Sequence, residues 1–133
     1  MSIISDYVVQ GGQSITAGQV DVFRSHLAAY KLKAETLEAD GLPLLRQQSS
    51  FLLRFIEDVL DEVYVSEDFF ALTEAIFAIR YLAKGVDIIP DALPDGFSDD
   101  AEVLQSVLEG HELEFRKYCS QNSIAFDAMM KKS

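Results

Sequence analysis

Arg80-Tyr-Leu-Ala-Lys-Gly-Val-Asp-Ile-Ile-Pro-Asp-Ala-Leu-Pro-Asp-Gly-Phe-Ser-Asp-Asp-Ala-Glu-Val-Leu104 is the stretch whose reading decides the fold. It holds Pro90 and Pro94, two of the chain's three prolines, and six acids, with no basic residue after Lys84. An apolar helical pattern runs into it and another runs out. Proline removes a backbone donor and clashes with the preceding turn, and glycine loses more entropy in a helix than other residues. At this density they end one helix and turn the chain before the next begins.

Within the turn, Pro94-Asp95-Gly96 is a turn tripeptide, and Asp87 is placed to cap the bend at Ile88-Ile89-Pro90. Pro90, Pro94 and Gly96 are therefore read as structural. Asp99 and Asp100 fall where a helix start leaves backbone N–H groups without partners, and Asp99 with Glu102 has capping-box spacing. Ile88, Ile89 and Leu93 are expected to close the apolar end of a bundle. A sharper reading is a hard-cation site. Asp91, Asp95, Gly96, Asp99 and Glu102 fall at positions 1, 5, 6, 9 and 12 of an EF-hand-type loop. Leu93, Pro94 and Ser98 break that pattern. The alternative it leaves is a Ca²⁺ or Mg²⁺ site drawn from Asp87, Asp91, Asp95, Asp99, Asp100 and Glu102, serving a sensor or a weak metal-dependent hydrolase.

Tyr81, Asp87, Ile88, Ile89, Pro90, Asp91, Pro94, Gly96, Asp99 and Asp100 give the stretch a resemblance to the YkvA-like family, small and mostly bacterial domains of unknown function. Gly85-Val86 replaces the family's usual Ser-Pro. The resemblance covers about 25 of the 133 residues and implies no catalytic residue. Greasier flanking helices among such domains suggest membrane association, and the charged flanks here argue against it.

Outward from this loop, hydrophobic spacing predicts helices. Residues 1–15 show no helical period and contain Gly11-Gly12, so they are expected to form an arm across the body. Thr16 to Gln19 is a capping box opening a first helix, with Val20, Phe23, Leu27, Tyr30, Ala34 and Leu37 in one seam and Gly41 at its end. Pro43 begins a second helix reaching to about Tyr64, with Leu45, Leu52, Phe55, Ile56, Val59 and Val63 inward and Glu57, Asp58, Asp61 and Glu62 in water. Ser66 is the expected cap of a third helix, Glu67 to Lys84. That helix is apolar on most sides, which marks a central helix. A fourth helix follows the loop, with Val103, Leu104, Val107, Leu108, His111, Phe115 and Tyr118 inward. Ile124, Phe126, Met129 and Met130 suggest a short last helix. The fold class is all-α: one domain, an antiparallel bundle of four main helices plus a short C-terminal one.

The charge is uneven. Of the net −11, a contribution of −9 comes from Gly85 to Phe115, which holds nine acids and no Lys or Arg. These are Asp87, Asp91, Asp95, Asp99, Asp100, Glu102, Glu109, Glu112 and Glu114. Such a field repels nucleic acid and anionic lipid and favours a basic protein surface. The single Cys119 makes no internal disulfide, and no signal-like segment opens the chain, which suits the cytoplasm.

Catalytic chemistry finds little support in the sequence. His111 lies on an apolar stripe, where a buried, hydrogen-bonded histidine is the simplest reading, and His26 is isolated. Cys119 has Lys117 nearby but lies beside an apolar stripe. Gly11-Gly12-Gln13-Ser14 lacks the ending of a phosphate loop. The sequence therefore points to a non-catalytic interaction or scaffold domain without cofactor. It docks a protein partner on the nine-acid face, or pairs with itself through its apolar stripes.

Overall fold

The computed structural model describes residues 3–39, 43–84 and 98–130. They form seven α-helices and a 3-10 turn: α1 (Ile3–Gln13), α2 (Ala17–Ser25), α3 (Leu27–Ala39), α4 (Pro43–Leu60), α5 (Phe69–Lys84), α6 (Ser98–Gly110), α7 (Glu112–Asn122) and the turn Phe126–Met129. The all-α class holds. Most of the Pro/Asp/Gly loop, including Asp87, Pro90, Asp91, Pro94, Asp95 and Gly96, lies outside the described residues, as do the side chains of Asp99 and Asp100.

α5 packs against α1, α3, α4 and α6, the central position that its nearly all-round apolar surface demands. Its Ala71, Ala75, Ala78 and Ile76 are fully buried. Small residues on several sides let four neighbours approach one helix. α4 brings Leu52, Phe55 and Ile56, and α6 brings Val103, Leu104, Val107 and Leu108, all excluded from water. An aromatic cluster fills the space between α4 and α7. Phe55 meets Phe115 and Tyr118 edge-on at 4.9 and 5.2 Å between ring centroids, and Tyr64 meets Tyr118 at 4.9 Å. Edge-to-face pairs of this kind add to what area burial alone provides.

The expected N-terminal arm is instead a helix. Ile4 and Val8 of α1 are buried, and the helix packs on α5 and α6. Gly11 and Gly12 do not break it. They form its contact face, because a β-carbon on either would lie 2.4 Å from the nearest atom of α5. A glycine in a helix costs about 1 kcal/mol relative to alanine, and here it permits close approach of two backbones.

The first predicted helix is two. The capping box at Thr16 is present, with the Gln19 amide donating to the Thr16 hydroxyl and the Thr16 amide to Gln19 Oε1. The helix then breaks at His26. Ser25 Oγ donates to the Val22 carbonyl at 2.7 Å, and His26 Nδ1 lies 2.9 Å from the same oxygen. The carbonyl that should accept the His26 amide is occupied by side chains, and that amide turns to Phe23.

α4 ends at Leu60, short of Tyr64. Glu62 adopts a left-handed conformation (φ 62°), and the Val63 and Tyr64 amides both reach back to the Asp58 carbonyl. This is a Schellman-type stop with glutamate where glycine usually stands. Val63 consequently points into solvent rather than into the core. Glu57 and Asp58, expected in water, are half-buried and engaged, by Lys31 and by the Tyr118 hydroxyl.

α5 begins at Phe69, capped by Asp68 and not by Ser66: Asp68 Oδ1 accepts from the Phe70 and Ala71 amides. The predicted fourth helix divides at His111, after the weak helix former Gly110, into α6 and α7. The short last helix is the 3-10 turn. Buried Gln48 ties it to the body by donating to the Met129 carbonyl at 2.8 Å and to Gln105 at 3.0 Å.

Candidate functional site

The break at His111 and the connection from α4 to α5 meet in a compact polar cluster. His111 is 11% exposed and lies between two carboxylates. Its Nδ1 is 2.5 Å from Asp68 Oδ2, and its Nε2 is 3.0 Å from Glu74 Oε1. A carboxylate only accepts, so an imidazole that satisfies both must donate from both nitrogens and is the imidazolium form. Burial works against that charge. The hydrogen bonds to Glu74 and Asp68 outweigh burial and raise the His111 pKa above its ordinary value.

Glu114 forms the second half of the cluster. It is 7% exposed. Oε1 accepts from the Glu67 amide at 2.9 Å and the Asp68 amide at 3.0 Å, and Oε2 accepts from the Tyr64 hydroxyl. Burial, reinforced by the hydrogen bond to Glu114, pushes the Tyr64 phenol pKa well up. Lys117 adds a pair to Glu67 at 3.2 Å and lies over the Tyr64 ring. The cluster fastens residues 64–68 to the start of α7.

This arrangement is a latch. A general base needs a free lone pair within reach of a substrate proton, and a metal ligand needs the same lone pair for the ion. Both nitrogens of His111 are already committed. Among the described residues no group of three or more His, Cys, Asp or Glu side chains stands where it could hold a metal ion.

Outside the latch, the same end of the molecule presents apolar side chains to water. Val63 is 74% exposed, Val65 78%, Phe69 66%, Phe70 45% and Leu113 87%. Four of them belong to the connection that the latch holds or to the first residues of α5. Leu113 lies one turn before Lys117 on the same side of α7, and Lys117 reaches Glu67. The same segments carry exposed Glu62, Glu67, Glu109 and Glu112, of which Glu67 is paired with Lys117 and Glu112 with Arg116. Single exposed hydrophobics are ordinary, whereas a concentration rimmed by charge marks a contact surface. Glu62 also holds its left-handed backbone here, a local strain of the sort that collects at functional surfaces.

Of the nine acids predicted to form a docking face, Glu102, Glu109 and Glu112 are exposed. Glu102 and Glu109 are seven residues apart on α6 and therefore share a side of it. Glu114 does not belong to the face; it is turned inward because two backbone amides and a phenol need an acceptor there. Asp87, Asp91 and Asp95 lie outside the described residues, and so do the side chains of Asp99 and Asp100. The expected cation ligands therefore reduce, among the described residues, to Glu102, which is exposed.

Sequence reasoning missed the apolar half of the surface. Val63 was read as inward by running the second helix to Tyr64, and the first turn of the third helix was read as part of a helix apolar on most sides. The signal that could have shown otherwise is Ser66-Glu67-Asp68, three polar residues in a row that separate the two helices. Cys119 is buried, and desolvation pushes its thiol pKa up to about 11, the reverse of activation by Lys117. No described helix is long and apolar enough to cross a membrane. No known family, curated protein or solved structure matches the chain.

Proposed function

We propose that the protein is a non-catalytic interaction module. Its docking surface is the apolar and acidic end formed by residues 61–70, the end of α6 and the start of α7. The observation that carries this reading is the group Val63, Val65, Phe69, Phe70 and Leu113, exposed among Glu62, Glu67, Glu109 and Glu112. The partner that suits it is a basic amphipathic segment: apolar side chains seat on Phe69, Phe70 and Leu113, and Lys or Arg side chains meet the acids around them.

A second copy of the chain suits the surface less well. A symmetric dimer brings the same patch against itself, and Glu62 and Glu109 then meet no unpaired cation, because Lys117 and Arg116 are already held by Glu67 and Glu112. The apolar stripes once offered for dimerisation are consumed by the core.

The test is calorimetric titration of the 133-residue chain with a helical Lys/Leu peptide, at low and at high salt. Binding that weakens as salt rises, and that falls roughly tenfold or more in Phe69→Ser and Leu113→Ser, supports the module. Equal binding by the variants, or a stable dimer by sedimentation, counts against it. A parallel melt addresses the competing cation reading. An ion present at 100 times its dissociation constant stabilises by about 2.7 kcal/mol. A rise of that size with Ca²⁺ or Mg²⁺ over chelator would favour the sensor instead.

A further inference from the structure

Away from that surface, α1, α2 and α5 line an open cavity of about 290 Å³. It is walled by Tyr7, Ile15, Gln19, Phe77, Arg80 and Tyr81. The size is at the small end of the roughly 300–1,000 Å³ typical of ligand sites. Three of the walls are aromatic. Tyr7 and Phe77 lie 5.3 Å apart between ring centroids, Tyr7 and Tyr81 6.1 Å, and Phe77 and Tyr81 6.3 Å. Phe77 lies against Gly11, where a β-carbon would sit 2.4 Å from its ring.

Arg80 is the unusual member. Acids outnumber basic residues 22 to 11 in this chain, so a cation has a surplus of carboxylates to meet. Arg24, Lys31, Arg116 and Lys117 all have one, and Arg54 has the Asn122 amide oxygen. Arg80 is half-buried at the cavity, and no ion pair or hydrogen bond among the described residues involves it. A guanidinium presents five N–H donors in a planar fork that matches a carboxylate. Gln19 uses its carbonyl oxygen on the Thr16 amide, which leaves its NH₂ group to donate toward the same space.

We propose that this cavity binds a small aromatic monocarboxylate. The carboxylate meets Arg80 and the Gln19 amide group, and the ring lies among Tyr7, Phe77 and Tyr81. The charge of −11 disfavours multiply charged anions such as nucleotides, and a single guanidinium neutralises a single carboxylate. The volume has room for a ring and its carboxylate.

Benzoate is the probe, followed by ¹H–¹⁵N NMR on the 133-residue chain, with benzyl alcohol and acetate as controls. The expected result is a saturable shift of the Tyr7, Gln19, Phe77 and Arg80 amides with benzoate. Each control, lacking either the charge or the ring, binds roughly tenfold or more weakly. Arg80→Met loses the same factor. Gln19→Glu keeps the acceptor for the Thr16 amide and sets a negative charge against the ligand, so it abolishes binding without removing the cap. If Arg80→Met does not fold, Gln19→Glu decides. No saturable shift across the millimolar range overturns the proposal, as does undiminished benzoate binding by either folded variant.

Discussion

Gly12 lies so close to Glu74 that a β-carbon on it would sit 2.4 Å from Glu74 Cγ and 3.3 Å from the Glu74 backbone. Glu74 cannot retreat, because its carboxylate holds His111 Nε2 at 3.0 Å. A glycine in α1 thus leaves room for a carboxylate in α5, and that carboxylate fixes the histidine at which α6 and α7 part. Gly12→Ala gains about 1 kcal/mol of helix propensity. Overpacking a tight contact costs about 1–3 kcal/mol. The expected net outcome is a lower melting temperature, checked by circular dichroism; a stabilised variant would mean that α1 can draw back from α5.

His111 makes stability depend on pH. Its folded pKa is raised above the unfolded value near 6.5. The stabilisation from its charge is fully present below that unfolded value and is lost as pH rises through the folded pKa. Urea denaturation from pH 6 upward should therefore show stability falling across that window, and His111→Gln should flatten the slope. His111→Ala, which leaves buried Glu74 without its cation, is expected to cost about 3 kcal/mol. An unaltered slope in His111→Gln would show that other groups titrate in its place.

Two glutamates five residues apart in sequence should differ sharply. Glu114→Ala strands the Glu67 amide and the Tyr64 hydroxyl, whereas the Asp68 amide keeps Ser66 Oγ as an acceptor. At about 1–3 kcal/mol for a buried unsatisfied group, the loss is at least about 2 kcal/mol. Glu109→Ala, on the exposed side of α6, should change stability by no more than about 0.5 kcal/mol. Denaturation curves of the two variants measure the difference directly, and similar losses would remove Glu114 from its place in the latch.

Cys119 should be inert in the folded protein. It is 2% exposed, and its thiol pKa is pushed up to about 11 by desolvation. Reaction with a disulfide reagent at pH 8 should be slow in buffer and fast in denaturant. Fast labelling of the native state would require the α7 end to open readily.

The broad architecture was legible because it rests on apolar spacing. The central position of α5, the inward faces of α4 and α6 and the Thr16 capping box all follow from residues three and four apart. The breaks were not legible, because each depends on what a polar side chain finds in the folded state. Ser25 and His26 compete for one carbonyl. His111 turns toward carboxylates 37 and 43 residues earlier in the chain. Glu62 stops α4 in a conformation that sequence rules reserve for glycine. Gly11-Gly12 was misread for the opposite reason: a residue without a side chain carries no apolar signal, although here it lies in the contact face. At the candidate site, net charge located Glu109 and Glu112 on the surface. It could not separate them from Glu114, because exposure is a property of the neighbours in space.

The central claim is that the latched end of the molecule, with its apolar groups set among acids, is where a partner binds. The most direct test is an NMR titration of the ¹⁵N-labelled chain with the Lys/Leu peptide. The account predicts shifts gathered at residues 61–70 and 109–117, weakened by salt and lost in Phe69→Ser. Shifts spread evenly over the surface, or centred on α2 and α3, would contradict it.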